Sequence, residues 1–149
     1  MQKGDHVDDF ELPDETGTPR RLSEFLARGP VVLFFYPAAL TYGCTKESCH
    51  FRDVGAEFEK AGAQRLGIST DPVDKQKRFS DKHSFDYPLL ADADGKVAEM
   101  FGARRKGGRA KRETFVIAPD GTVLNVIKSE VRFNVHADRA LEALQATKS

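Results

Sequence analysis

Apolar residues come in two rhythms along this chain. VVLFFYP, residues 31 to 37, is a continuous apolar, β-branched and aromatic run that suits a strand buried on both faces, and Pro37 stops it. From Thr41 to about Lys60 the period turns helical, with Cys44, Phe51, Val54 and Phe58 recurring at intervals of three, four and seven. RLGIST, residues 65 to 70, reads as a second buried strand ended by Asp71 and Pro72. Asp74 is placed to cap a helix running to about His83. YPLLAD gives a short strand, and Gly95 to Phe101 a short helix.

RETFVIA and TVLNVIKS flank Pro119-Asp120-Gly121, in which proline presets φ and glycine accepts a positive one, so these runs are expected to form a hairpin. Asn134 is placed to cap a last helix whose Ala137, Leu141 and Leu144 share one face. Near the amino terminus, FELPDETGTPRRL contains two short extended pieces around a Gly17 turn, an added hairpin. No repeat or linker interrupts the pattern. The prediction is a single domain over 1–149, an α/β sandwich whose mixed central sheet is flanked by helices.

Composition narrows the function. Lysine and arginine together number 23 and so do aspartate and glutamate, so no global charge calls for a polyanion or an acidic membrane surface. The amino terminus carries charge from its third residue and lacks a signal-like apolar run, and Val31 to Tyr36 is far too short to span a bilayer. A soluble, cytoplasmic protein with no membrane partner is expected. Thiols are mostly reduced in that compartment, and two cysteines are too few for a disulfide scaffold, which favours redox chemistry or metal binding.

Both cysteines sit where the VVLFFYP strand hands over to a helix, the end of a strand where open α/β folds place ligands. With Thr41 as N-cap, Cys44 is the third helical residue. A sulfur there lies beside unpaired backbone N–H groups and the positive end of the helix dipole, and cysteines so placed reach pKa values of roughly 3.5–7.5. Gly43 removes a side chain beside the sulfur, which leaves room for a small substrate. The alternative for Cys44 is an ordinary buried residue on an apolar helix face. Cys49 comes five residues later, about 8.7 Å away and about 140° around an unbroken helix, whereas a disulfide needs Cα atoms within about 7 Å. The pair therefore closes only if the first turns unwind.

Pro37-x-x-x-Thr41-x-x-Cys44 resembles the active-site signature of peroxiredoxins. Cys44-Thr45-Lys46-Glu47-Ser48-Cys49, followed by Phe51-Arg52-Asp53, is similar to the bacterioferritin comigratory protein or peroxiredoxin Q subgroup. GDHVDDFELPDETG, GISTD, YPLLAD and RETFVIAPDG extend the resemblance over nearly the whole chain. It implies a thioredoxin-like fold and a thiol-dependent peroxidase acting on hydrogen peroxide and organic hydroperoxides. It implies a peroxidatic Cys44, a resolving Cys49 and a Cys44–Cys49 disulfide recycled by thioredoxin or glutaredoxin, with a role in redox homeostasis. Thr41 would orient the thiol or the peroxide, Arg112 would stabilise the thiolate and the leaving oxygen, and Pro37 would shield the sulfur. Backbone N–H groups of Gly43 and Cys44 would bind the peroxide. Sulfur supplies the redox chemistry, so no cofactor is implied, and resolution within one chain makes a monomer the expectation. Tyr42 departs from the proline that many relatives carry there.

Other classes fit less well. A general thiol–disulfide oxidoreductase would use C-x-x-C, and the spacing here is C-x-x-x-x-C. A glutathione-peroxidase-like site uses a tryptophan, and the chain has none. Cys44, Cys49 and His50 on one helix do not offer zinc a tetrahedral set, so no metal is expected. ARRKGGRAKR, residues 103 to 112, carries six basic residues but no interleaved aromatic ring for stacking on nucleic acid. It is read as a solvated loop ending in Arg112, with attraction of an acidic reductase surface or a binding or holdase role as the alternatives.

Overall fold

The computed structural model describes residues 1–106 and 108–147, with Thr147 described in its backbone alone. Its centre is a five-stranded sheet in the order β5-β4-β3-β6-β7, formed by β3 (Val31–Phe35), β4 (Gln64–Ser69), β5 (Leu89–Ala91), β6 (Glu113–Ile117) and β7 (Val123–Lys128). β3, β4 and β5 run parallel, whereas β6 and β7 are antiparallel to their neighbours. The mixed sheet follows from the connections: long helical crossovers join the parallel strands, and one tight turn joins β6 to β7. In that turn Gly121 has φ +90° and its N–H donates to the Ala118 carbonyl at 2.8 Å.

β3 is buried along its whole length, so its alternating residues face two cores. Val31, Leu33 and Phe35 pack with α1 (Leu22–Leu26) and α5 (Lys96–Met100) on one side. Val32 and Phe34 pack on the other side with α2 (Tyr42–Asp53), α3 (Gly55–Lys60), α4 (Val73–His83) and α6 (Val135–Thr147). The Phe51 ring of α2 stacks on Phe34 at 4.0 Å between centroids, so the helix that carries both cysteines is pinned to the central strand. This is a thioredoxin-like fold. The added hairpin, β1 (Glu11–Pro13) and β2 (Pro19–Arg21), turns at Gly17, where φ is +81°.

Four details depart from the pattern-based expectation. The helix expected over 41–60 breaks at Val54 into α2 and α3. Arg65 reaches across from β4 to donate to the Phe51 carbonyl at 2.9 Å, and a Cβ on Gly55 would meet that guanidinium at 2.9 Å. Periodicity continues through the break and so conceals it. Pro72, not Asp74, holds the N-cap position of α4, and Asp74 sits in its first turn. α1 follows β2 directly, a short helix that the pattern did not predict. The 103–112 loop folds back on itself through an Arg104–Ala110 bridge and a bond from Lys111 N–H to the Ala103 carbonyl. Within it Arg104 pairs with Glu99 and Arg105 with Glu130, while Gly107 lies outside the described residues.

Candidate active site

The loop from Tyr36 to Thr41 carries the chain from the end of β3 to the start of α2. Leu40 takes φ +66°, a left-handed conformation that a branched side chain rarely adopts and that the surrounding fold must hold in place. Asp71, after β4, supplies one such hold by accepting the Ala39 N–H at 2.7 Å. The next amide back, Ala38 N–H, points at Cys44 Sγ from 3.5 Å. Half-buried Pro37 directly precedes it.

Thr41 stands at the N-cap position, and the first bond of α2 runs from Thr45 N–H to the Thr41 carbonyl at 2.9 Å. The N–H groups of Gly43 and Cys44 therefore precede the helical ladder, where the helix offers its positive end. The Thr41 side chain does not cap: its hydroxyl donates instead to the Ala38 carbonyl at 2.7 Å. That corrects its expected capping role. The bond closes the loop around the sulfur and leaves the oxygen lone pairs of Thr41 as acceptors.

Cys44 is 1% exposed, and Arg112 Nη2 donates to its sulfur at 3.3 Å. Nη1 of the same guanidinium donates to Glu47 Oε1 at 2.8 Å. Arg112 is fixed from behind as well, its Nε donating to the Glu130 carbonyl at 3.2 Å and its backbone N–H to Glu130 Oε2 at 2.9 Å. Burial works against the Arg112 charge, but Glu47 and Cys44 outweigh it and hold its pKa above the ordinary arginine value. Burial pushes the Glu47 carboxyl up to about 8, against the pull of Arg112.

Gly43 is required for a different reason from the open space first expected. A Cβ there would lie 2.6 Å from the Phe133 ring and 3.2 Å from Arg112 Nη2, so the room beside the sulfur is filled by the arginine and an aromatic ring. Phe133 in turn packs under Arg112, with Cζ 4.9 Å from its ring centre. Tyr42 meets Phe133 edge-on at 6.5 Å, carries Lys46 Nζ 5.1 Å from its ring, and is 73% exposed. Tyr42 thus adds an aromatic rim to the site.

Both cysteines are free and α2 is helical through each. Cys49 is half-buried, and burial raises its thiol pKa, with Arg52 pulling down and Asp53 pushing up. The structure therefore brings Cys44, Arg112 and the Thr41 loop together and keeps Cys49 apart from them on the same helix. Glu47 and Phe133 complete the site and were not anticipated. Glu47 had a readable signal, because it falls three residues after Cys44 and four before Phe51 on the core-facing stripe of α2, where an acidic side chain demands a buried partner.

An arginine donating to a buried cysteine in the first turn of a helix suits thiol chemistry with a developing anion. Comparison with known proteins identifies which chemistry. The AhpC/TSA family model matches residues 3–126. The chain belongs to that family and is a peroxiredoxin. It is 39% identical over 150 residues to the chloroplastic peroxiredoxin Q of Sedum lineare, covering 99% of this chain and 80% of that one. Among solved structures, peroxidoxin BcpB from Mycobacterium tuberculosis superposes with TM-score 0.96 at 59% identity, covering 100% and 99% of the two chains. A mutant of Xylella fastidiosa PrxQ superposes with TM-score 0.92 at 27% identity, covering 100% and 98%. This peroxiredoxin is a peroxidase, with peroxides as substrates and a thiol reductant to complete its cycle. No described helix is long and apolar enough to cross a membrane.

Proposed function

We propose that Cys44 is the peroxidatic cysteine, Cys49 the resolving one, and that the enzyme reduces hydrogen peroxide and organic hydroperoxides. The observation that carries this reading is the convergence on one sulfur of Arg112 Nη2 at 3.3 Å and Ala38 N–H at 3.5 Å. Neither donor needs a proton from the sulfur, and both meet its negative form. The Cys44 thiolate attacks one peroxide oxygen, the S–O bond forms as the O–O bond breaks, and hydroxide or alkoxide leaves and takes a proton from water. Sulfur is oxidised by two electrons to the sulfenic acid and the peroxide is reduced by two.

Each neighbour has a role in that step. Thr41, its proton committed to Ala38, accepts from the peroxide O–H. The N–H groups of Gly43 and Cys44 bind the attacked oxygen, Arg112 stabilises charge on the departing one, and Pro37 limits water. Cys49 then attacks the sulfenic sulfur. An S–S bond forms and water leaves. Because α2 holds the two cysteines about 8.7 Å apart when intact, its first turns unwind for this step.

A dithiol reductant returns two electrons; thioredoxin, or alternatively glutaredoxin, is the reductant proposed. Resolution within one chain needs no partner subunit, so the working unit is a monomer of one domain, set in the reducing cytoplasm. Stopped-flow mixing with hydrogen peroxide and with tert-butyl hydroperoxide tests the assignment. Fast oxidation dependent on Cys44, followed by loss of two hydrogens mapped by mass spectrometry to Cys44 and Cys49, is the expected result. Equal oxidation rates for the wild type and Cys44→Ser would sink it, and thiol exchange without peroxide consumption would favour a general oxidoreductase.

A further inference from the structure

Arg112 serves Cys44 only while its planar fork is aimed, and two acceptors aim it: Glu47 Oε1 on Nη1 and the Glu130 carbonyl on Nε. One side chain lies behind both. His136, in the first turn of α6 and 0% exposed, places Nε2 2.8 Å from the carbonyl of Ser129, the residue before Glu130. Its Nδ1 lies 2.8 Å from Thr114 Oγ1 and 3.6 Å from Glu47 Oε2.

The chemistry of these partners assigns the ring's state. A carbonyl only accepts, so Nε2 carries the proton, and Nδ1 takes the Thr114 hydroxyl. Burial holds His136 down to about 4, the Ser129 bond pulling the other way, so the ring is neutral at physiological pH. The Glu47 contact is then between a carboxyl and a neutral ring rather than an ion pair. Thr114 faces the ring from β6, Glu47 from α2 and Ser129 from the segment after β7; the Arg112 and Glu130 charges are close enough to act on it. A side chain that merely filled this space would need no polar atoms, yet both ring nitrogens are matched.

We propose that His136 is a positioning residue for the Cys44 reaction, fixing the Ser129–Glu130 segment so that Arg112 is held on the sulfur. The inference rests on Cys44 being the peroxidatic cysteine. His136 touches no reacting atom. Val135 and Ala137 beside it pack in the core, and a second polar contact from α6 to α2, Asp138 with His50 Nε2 at 2.7 Å, lies beside Cys49 rather than Arg112.

A double-mutant cycle on the full chain separates aiming from mere folding, with the rate constant for Cys44 oxidation by hydrogen peroxide as the readout. His136→Ala is expected to lower that rate about 10-fold, and His136→Gln, which retains a donor and an acceptor, to recover it to within about 3-fold. In an Arg112→Met background the same His136→Ala change should alter the rate less than about 2-fold, because no guanidinium remains to be aimed. An equal loss in both backgrounds overturns the inference, as does no loss in either. Should His136→Ala not fold, Thr114→Val removes the Nδ1 bond at nearly constant volume, and the same comparison of backgrounds decides. If the wild type itself shows no Cys44-dependent oxidation, the peroxidatic assignment fails; if the wild type is fast and the losses multiply, only the role of His136 fails.

Discussion

Arg112 Nη2 lies 3.3 Å from the sulfur of Cys44, a residue 68 positions earlier in the chain, while Nη1 of the same fork holds Glu47. β6 delivers the arginine and α2 the cysteine, and the antiparallel pairing of β3 with β6 brings the two elements to one end of the sheet. Lysine cannot reproduce this arrangement, because a single ammonium has no rigid fork to serve the sulfur and the Glu47 carboxyl together. Arg112→Lys is therefore expected to slow Cys44 oxidation substantially, and Arg112→Met by about 100-fold, the scale for loss of a preorganised donor at a developing anion. Stopped-flow oxidation of each variant checks the order.

Gly43→Ala places a methyl 2.6 Å from the Phe133 ring, which lies against Arg112. The ring must move, and the arginine packed on it moves too. The expected cost is about 1–3 kcal/mol of stability together with slower peroxide reduction. Phe133→Leu added to Gly43→Ala should recover most of both losses, as measured by urea unfolding and by peroxide turnover. A double variant no better than Gly43→Ala alone would mean that the clash lies elsewhere.

The pieces of the fold that were legible in the sequence are those whose burial is uniform or strictly periodic. VVLFFYP is apolar at every position because β3 is covered on both faces, and the Pro119-Asp120-Gly121 turn declares itself by its φ requirements. The helix break at Val54 was concealed because its cause, Arg65, sits ten residues beyond Gly55 on another element. Cys44 was singled out by its place in the first turn of a helix, and Thr41 and Arg112 were nominated by their fit to a signature. Phe133 was not, since it lies in an aperiodic segment and its meaning depends on contact with Gly43. Glu47 could have been suspected from its place on a buried stripe, but nothing in sequence spacing pairs it with Arg112.

Under the proposed Cys44–Cys49 route, the resolving step depends on what restrains α2. Tyr87 Oη donates to the Ser48 carbonyl at 2.6 Å, directly before Cys49, and that bond is available only while the carbonyl stays in its helical place. Removing it destabilises the intact helix more than the unwound one. Tyr87→Phe is therefore expected to speed formation of the Cys44–Cys49 disulfide by about 5-fold, the scale of one net hydrogen bond, and to leave the first oxidation unchanged. Mass-spectrometric time courses after a peroxide pulse distinguish the two steps. A slower disulfide step would mean that Tyr87 supports the unwound state instead.

The buried pair behind the site gives stability two opposing pH dependences. His136 has its folded pKa lowered from 6.5 to about 4, so the unfolded chain binds more protons in that window, and stability is lost as pH falls from 6.5 to about 4. The full effect is about 3 kcal/mol. Glu47 has its folded pKa raised from 4.5 to about 8, so here the folded chain binds more protons, and stability present below 4.5 is lost as pH rises through about 8. Between pH 4.5 and 6.5 the two dependences nearly cancel, so urea unfolding at intervals from pH 4 to 8.5 should show a level stretch there and a fall from pH 6.5 to about 8. His136→Gln should turn the level stretch into a continuous fall from pH 4.5, and Glu47→Gln, which keeps an acceptor for Arg112, should leave only the rise from about pH 4 to 6.5. If Glu47→Gln leaves the slope between pH 5 and 8 as in the wild type, the carboxyl is held ionised by Arg112 throughout, and burial is not the stronger influence on it.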